Sequence, residues 1–253
     1  MSAFRVCAIV PTYDNPLTIR AVVEQLVPLV EQVLVIDDGS AEPGRAAVDA
    51  LAAEGLACVI HREQNGGKGA AVKTGLVVAD EAGFSHALQV DADLQHDLAD
   101  APKLLEAARN QPTALVLGDP RYDDSAPSAR RVGRRITTFW IRMETGAGVI
   151  GDAMCGFRVY PVRAALRAAP RGDAMDFDPE IAVRMVWSGA PVINIPTNVR
   201  YLAADEGGVS HFHAFRDNVW ISLMHSRLMF RKVMAFLFGA IIPPLRLGPR
   251  GQS

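Results

Sequence analysis

Cysteine is scarce in this 253-residue chain: Cys7, Cys58 and Cys155 form an odd, scattered set with no metal-ligand spacing. A disulfide framework and a cysteine-bound zinc site are thereby excluded, and reduced thiols in a cytosolic setting are expected, with Cys7 and Cys58 in core strands. Strong net charge is missing too. A formal balance of -2 argues against a general nucleic-acid binder. The amino terminus runs from Met-Ser-Ala-Phe-Arg straight into an apolar strand, without the charged start and apolar core of a secretion signal. The longest uncharged apolar run, Val233 to Leu245, is broken by Gly239 and Pro243-Pro244 and falls short of the ~20 residues a spanning helix needs. Acid is absent from Ser226 onward, where Arg227, Arg231, Lys232, Arg246 and Arg250 stand among apolar residues.

What is present alternates regularly. Apolar strands are expected at Val6–Val10, Gln32–Ile36, Ala57–His61, His86–Val90 and Ala114–Leu117. Helices are expected at Leu17–Val30, Gly44–Glu54, Gly67–Ala82 and Leu98–Arg109. Repeated βα units of this length imply an α/β fold whose mostly parallel sheet carries helices on both faces. After Asp119 the repeat stops. A long helix from about Ser128 to Gly146 follows, with Arg130, Arg131, Arg134, Arg135 and Arg142, then a turn at Gly156–Arg158. An acidic turn at Asp176–Glu180 opens a helix to Ser188, and a strand at Val192–Ile195, an extended segment Val199–Leu202 and a helix from about Phe215 to Phe238 complete the chain. We divide it into residues 1–213, one α/β domain, and 214–253, an amphipathic helix with a basic tail.

In open α/β sheets ligands bind at the carboxyl ends of the strands, and the polar clusters fall there. Asp91 and Asp93 follow Leu88 and Val90 directly, with Gln95 and His96 beside them. A close carboxylate pair at the end of a buried strand is costly unless a cation or hydrogen bonds compensate it. Hard oxygen ligands that leave room for substrate phosphates suit Mg²⁺ or Mn²⁺. A solvated turn capping the next helix is the plain alternative. Asp37-Asp38-Gly39-Ser40 ends the second strand, where a carboxylate can accept hydrogen bonds from a ribose or base. Asn65-Gly66-Gly67-Lys68-Gly69 has glycines that let backbone amides approach phosphates, or that simply cap the helix. It is neither a Walker A loop nor the dinucleotide fingerprint.

Pro11-Thr12-Tyr13-Asp14-Asn15, Asp37 to Ser40, Asn65 to Gly69, Asp91 to His96, Gly118 with Arg121, and Asp152 followed by Cys155-Gly156-Phe157-Arg158 occur in the order found in glycosyltransferase family 2. Over about residues 5–220 the chain resembles that family, in particular its dolichyl-phosphate mannose synthase-like and polyprenyl-phosphate glycosyltransferase group. The resemblance implies a GT-A fold, a nucleoside diphosphate sugar donor, Mg²⁺ or Mn²⁺, and inverting transfer. It assigns Pro11, Tyr13, Asp14 and Asp38 to the nucleoside pocket. Lys68 and Asp91 also fall on the donor side, and Asp91, Asp93 and Gln95 on the metal. Arg121 and one of Arg131, Arg134 or Arg135 match the family's phosphate-contacting arginines, with Arg135 the candidate chosen here, and Asp152 matches the aspartate proposed as base. Asn15 stands where the family commonly has Glu, which leaves the nucleoside open.

The expected activity is hexose transfer from a GDP-mannose or UDP-glucose type donor to a lipid-linked acceptor, a polyprenyl phosphate. A hydroxyl acceptor on a lipid or glycan is the nearest alternative. A noncatalytic nucleotide-sugar-binding protein is another, but it need not keep Asp91, Asp93, Arg121 and Asp152 together. A nucleotidyltransferase would carry a glycine-rich basic loop after the first strand, which Pro11 to Pro16 lacks. Arg227, Arg231 and Lys232 interleave with Leu228, Met229, Phe230, Val233 and Met234, as in a helix lying on an anionic surface or in a packing helix with a solvated face. The expected location is therefore cytoplasmic, peripheral at the inner face of the membrane. Ser210-His211-Phe212-His213 is a candidate closing loop.

Overall fold

The computed structural model describes residues 3–121, 128–199 and 214–238, without the side chains of 128–135, 214 and 215. Its first half follows the βα alternation: β1 (Val6–Thr12), α1 (Ile19–Leu26), β2 (Gln32–Asp37), α2 (Gly44–Ala53), β3 (Cys58–His61), α3 (Lys68–Glu81) and β4 (His86–Gln89). Then come α4 (Ala101–Asn110), β5 (Leu115–Arg121), α5 (Ser128–Thr145), β6 (Arg158–Pro161), α6 (Val162–Ala168), α7 (Phe177–Trp187), β7 (Val192–Asn198) and α8 (Ala214–Phe238). The sheet has seven strands in the order β3-β2-β1-β4-β6-β5-β7. All neighbours pair parallel except β6, which runs antiparallel to both β4 and β5.

That arrangement follows from where apolar residues stand. Every residue of β1 is buried, as expected of a strand covered on both faces. Ile9, Leu34 and Ile36 face one core with Leu76 of α3 and Phe177 and Ile181 of α7. Alternate residues Ala8, Val10, Val33 and Val35 face the other, with Val22 of α1 and Leu51 of α2. Gly75 lets α3 sit close on the sheet, since a Cβ there would stand 2.6 Å from the Ile9 Cγ2.

Several expectations need correction. The first helix is shorter, Ile19–Leu26: Thr18 before it is tied by its hydroxyl to the Ala92 carbonyl, and Leu17 is solvent-facing. Strand β5 runs on to Arg121 through register pairing with β7, which carries Pro120 along. Gly156–Arg158 is not only a turn. Arg158 begins β6, a strand of four residues too short to show an alternating pattern. Cys58 is exposed, because β3 is the sheet edge. Of the two readings of the cationic helix α8, the contacts match the packing one along its inner face. Ile221, Met224 and Leu228 enter the core, while Arg227 donates to the buried Glu180 at 2.9 Å and Lys232 to the carbonyl oxygens of Met143 and Glu144 at 2.5 and 3.1 Å. Val199 bridges His96; residues 200–213, with the His211-Phe212-His213 loop, lie outside the described residues.

Candidate active site

Strands β2, β1 and β4 are neighbours, so their carboxyl ends bring Asp37-Asp38, Thr12-Tyr13-Asp14 and Asp91-Asp93 to one crevice. The backbone there is shaped for turning. Asp14 and Leu94 adopt left-handed φ of 50° and 56°, a conformation that is uncommon for a bulky residue such as Leu and tends to collect at functional sites. Thr18 at the start of α1 donates to the Ala92 carbonyl at 2.6 Å and ties this turn to the first helix.

Asp91 faces a cation. Lys68, the first residue of α3, lies 2.7 Å from its Oδ1 and 2.8 Å from its Oδ2, and 2.8 Å from Asp178 Oδ2 on α7. Burial alone would favour the neutral amine, but Asp178 and Asp91 outweigh it and keep Lys68 charged far above neutral pH. Burial would likewise raise Asp91, yet Lys68 and His96 hold its carboxyl well below the usual range. Asp93 behaves oppositely: burial and the neighbouring Asp91 push it up, and it accepts a hydrogen bond from the Gln95 backbone N–H at 3.1 Å.

Beneath this layer lies a wholly buried polar network. Gln89 donates to Asp178 Oδ1 at 3.2 Å and accepts from the Tyr160 hydroxyl at 2.8 Å. Arg158, with no exposed surface, donates to the Asp178 carbonyl at 2.9 Å and to the Cys155 and Ala153 carbonyls. Such groups are tolerated in a core only when every partner is in place. Gly156 explains its own motif, because any Cβ there would collide with the Asp91 carboxylate. The Asp152-to-Arg158 loop is therefore seated directly on the acid pair.

The remaining expected residues divide. Asp38 is buried and fully engaged: it pairs with Arg62 and accepts the Gly66 and Gly67 amides at 3.1 and 2.7 Å. The Gly66 and Gly67 amides thus serve Asp38. Pro11 is buried within β1, while Tyr13 and Asp14 are half-buried at the rim; Asp14 Oδ1 accepts the Ala41 amide at 3.0 Å. Asp152 is buried, with Oδ1 accepting the Met154 amide at 2.7 Å, in a crevice shared with Thr137, Thr138 and Ile141 of α5. Arg121 is exposed at the end of β5. Arg135 lies in α5, and its side chain is outside the described residues, as are those of Arg131 and Arg134.

Sequence reasoning missed Gln89, Tyr160 and Asp178. An acid two residues into a helix reads as an ordinary helix-start charge, and only its apolar flanks, Phe177 and Ile181, hinted at burial.

As for a cation, no cluster of three His, Cys, Asp or Glu side chains capable of caging one exists among the described residues. The donor set nevertheless fits a hard divalent ion that draws its other ligands from a substrate. Asp91 and Asp93 stand two residues apart with Gln95 next along the chain, its backbone N–H on Asp93, and the buried Asp91 Oδ1, although close to the ammonium, is in hydrogen-bonding geometry with no group.

Residues 7–166 match the profile of glycosyl transferase family 2. The chain is 29% identical over 204 residues to undecaprenyl-phosphate mannosyltransferase of Micrococcus luteus, covering 76% of this chain and 82% of that one. It is 28% identical over 204 residues to polyprenol monophosphomannose synthase of Mycolicibacterium smegmatis, covering 76% of each. Among solved structures, glucosyl-3-phosphoglycerate synthase from Mycobacterium tuberculosis in complex with phosphoglyceric acid superposes with a TM-score of 0.67 at 17% identity, covering 88% of this chain and 79% of that one. The sheet order and this likeness make the fold GT-A, and with the ordered motifs in place the chain belongs to glycosyl transferase family 2 and is a glycosyltransferase.

Proposed function

We propose that the protein transfers a hexose, with inversion, from a nucleoside diphosphate sugar to a polyprenyl phosphate, using Mg²⁺ or Mn²⁺. The observation that carries this reading is the Asp91–Asp93 pair at the end of β4, with Lys68 against it and the Gly156 loop seated on it. Support for the acceptor comes from two relatives whose names state polyprenyl-type phosphate acceptors. Support for the donor comes from a solved complex of the structural neighbour with Mn²⁺ and UDP-glucose.

In this reading Asp91, Asp93 and Gln95 would hold the metal, which would supply positive charge for the departing diphosphate without proton transfer. Pro11, Tyr13 and Asp14 line the nucleoside pocket, and Asp38 keeps its floor in shape through Arg62 and the Gly66 and Gly67 amides. Arg121 and Arg135 serve phosphate oxygens. A phosphate acceptor is already largely dianionic near neutral pH and needs little base.

The hydroxyl-acceptor alternative retains one specific support, the burial and fixed orientation of Asp152. A hydroxyl must lose its proton as the bond forms, so Asp152→Asn would then cost about 10²-fold or more in rate. With a phosphate acceptor the loss is smaller.

We further propose a peripheral membrane contact through α5 and α8. No helix among the described residues is long and apolar enough to cross a membrane. Apart from Leu17, Val27 and Val77, however, the exposed large apolar side chains belong to these two packed helices, including Phe139, Trp220, Leu223, Phe230 and Phe236. The acids on both, Glu144 and Asp217, are buried, whereas Arg216 is exposed. A surface of aromatics and cations without exposed acid fits an anionic lipid interface.

Thermal-shift measurements with GDP and UDP, each with and without Mn²⁺, test the donor assignment. Stabilisation by one nucleotide only with metal is expected; no shift with either would contradict the reading.

A further inference from the structure

Lys68 occupies an unusual place for a lysine. Its ammonium is bracketed by two carboxylates, Asp91 at 2.7 Å and Asp178 at 2.8 Å, and only 16% of its side chain is exposed. The bracket is rigid from three sides. Gly67, with φ of 97°, turns the chain into α3, and the Ala70 amide is held by the Asp173 carbonyl at 3.0 Å. Gly69 packs so tightly on Phe177 of α7 that a side chain there would collide with it. Asp178 in turn is fixed by Gln89 and lies 3.7 Å from Arg158.

Asp178 is therefore satisfied without any metal, and Asp91 already has a full positive charge against both of its oxygens. A divalent ion arriving alone would have to share Asp91 with that ammonium, and two cations around one carboxylate repel. A diphosphate changes the balance because its oxygens give both cations anionic partners at once.

On the donor reading above, we propose that Lys68 is the resident counter-cation of Asp91, screening it from free divalent metal so that metal and nucleoside diphosphate bind as a coupled pair. Lys68 is thus a positioning residue. It sets the order in which ligands accumulate, and Asp93, which has no cationic side chain paired to it among the described residues, is the carboxylate open to metal first.

Mn²⁺ binding read by the electron paramagnetic resonance signal of the free ion tests this without turnover. Wild type should bind Mn²⁺ weakly alone and about tenfold or more tightly with GDP or UDP present, within the usual range of coupling between sites. Lys68→Met should bind Mn²⁺ alone about tenfold more tightly than wild type and lose most of the nucleotide enhancement. If that variant does not fold, Lys68→Gln, which keeps polar contacts but no charge, carries the same expectation. Equal Mn²⁺ affinity with and without nucleotide in wild type overturns the proposal, and so does unchanged or weaker Mn²⁺ binding in the lysine variants. Binding of neither nucleotide in the presence of Mn²⁺ would overturn the donor reading along with it. A diphosphate that binds with Mn²⁺, but whose enhancement survives the loss of Lys68, overturns the counter-cation role alone.

Discussion

The strand-end crevice and the α5–α8 flank follow opposite rules. In the crevice charged and ionisable groups are buried or half-buried and paired: Lys68 with Asp91 and Asp178, Asp38 with Arg62, Asp37 with His61. On the flank large apolar groups are exposed, and the acids lie underneath, as with Glu144, whose Oε1 is 2.8 Å from His225 Nδ1. Each region departs from what burial alone would select. In our proposal the crevice does so to hold ligand charge in fixed positions, and the flank to meet a non-aqueous surface. On that proposal the difference gives chemistry to one region and location to the other.

The sharpest way to break that division is to damage one region and read the other. Asp93→Asn removes one charged oxygen from the crevice. Transfer should fall by about 10²-fold or more, with metal-dependent nucleotide binding weakened. The melting temperature and liposome binding should stay near wild type, and retained activity would remove Asp93 from the metal site. On the flank, His225→Ala leaves Glu144 without its partner in a nearly solvent-free site. Breaking such a pair costs about 3 kcal/mol, a drop in melting temperature of roughly 6–12 °C for a chain this size. A change within about 2 °C would show that the pair contributes little to holding α8.

A smaller effect separates attachment from catalysis. Phe230 and Phe236 are 68% and 86% exposed, so replacing both with Ser should not destabilise the fold. Each aromatic buried in lipid contributes roughly 1.5–3 kcal/mol, and the double variant should bind anionic liposomes at least about tenfold more weakly with nucleotide binding intact. Because Arg227 and Lys232 are engaged with the body of the protein, wild-type binding should be released only in part by high salt. Complete release by salt would return the attachment to electrostatics.

The smallest effect is a pH signature of opposite sign in the two regions. Burial would raise Asp37, but hydrogen bonds from Ser40 and His61 outweigh it and hold it below its ordinary value of 3.8. Its stabilisation is present above that value and is lost as pH falls through the lower folded one. Glu144 is raised above its ordinary 4.5 by burial, against the pull of His225 and Lys232. Its contribution is complete below 4.5 and is lost as pH rises through the raised folded value. Melting curves of Asp37→Asn and Glu144→Gln against wild type should therefore diverge in opposite directions. The Asp37→Asn deficit shrinks in acid, and the Glu144→Gln difference shifts in favour of the variant as pH rises above 4.5. Parallel curves would contradict the assignment.

How much of this was legible depended on the kind of signal. Strands β1, β2 and β4 are readable because mostly apolar segments give way to polar turns that carry acids, and strand ends are where open sheets bind ligands. The place of Asp91 and Asp93 just past the end of β4 is legible that way. The network beneath them is not, because Gln89, Tyr160 and Asp178 meet only when antiparallel β6 inserts between β4 and β5 and α7 closes over them. A four-residue strand carries too little periodicity to announce that insertion. The spacing shows α8 to be amphipathic, but it does not show that Arg227 reaches Glu180 or that Lys232 reaches the Met143 and Glu144 carbonyls; long basic side chains bend to such partners, and spacing alone does not give that direction. The role of Gly156 also needed three dimensions, since its partner Asp91 is remote in sequence.

The most direct test of the whole account is transfer of labelled sugar from GDP-mannose or UDP-glucose to a polyprenyl phosphate in anionic liposomes, with the corresponding polyprenol as control and with Mn²⁺ or a chelator present. We predict product on the phosphate from one of the two donors only when metal is supplied, and little on the alcohol. Transfer that persists undiminished under chelation, or that runs equally well on the alcohol, would contradict it.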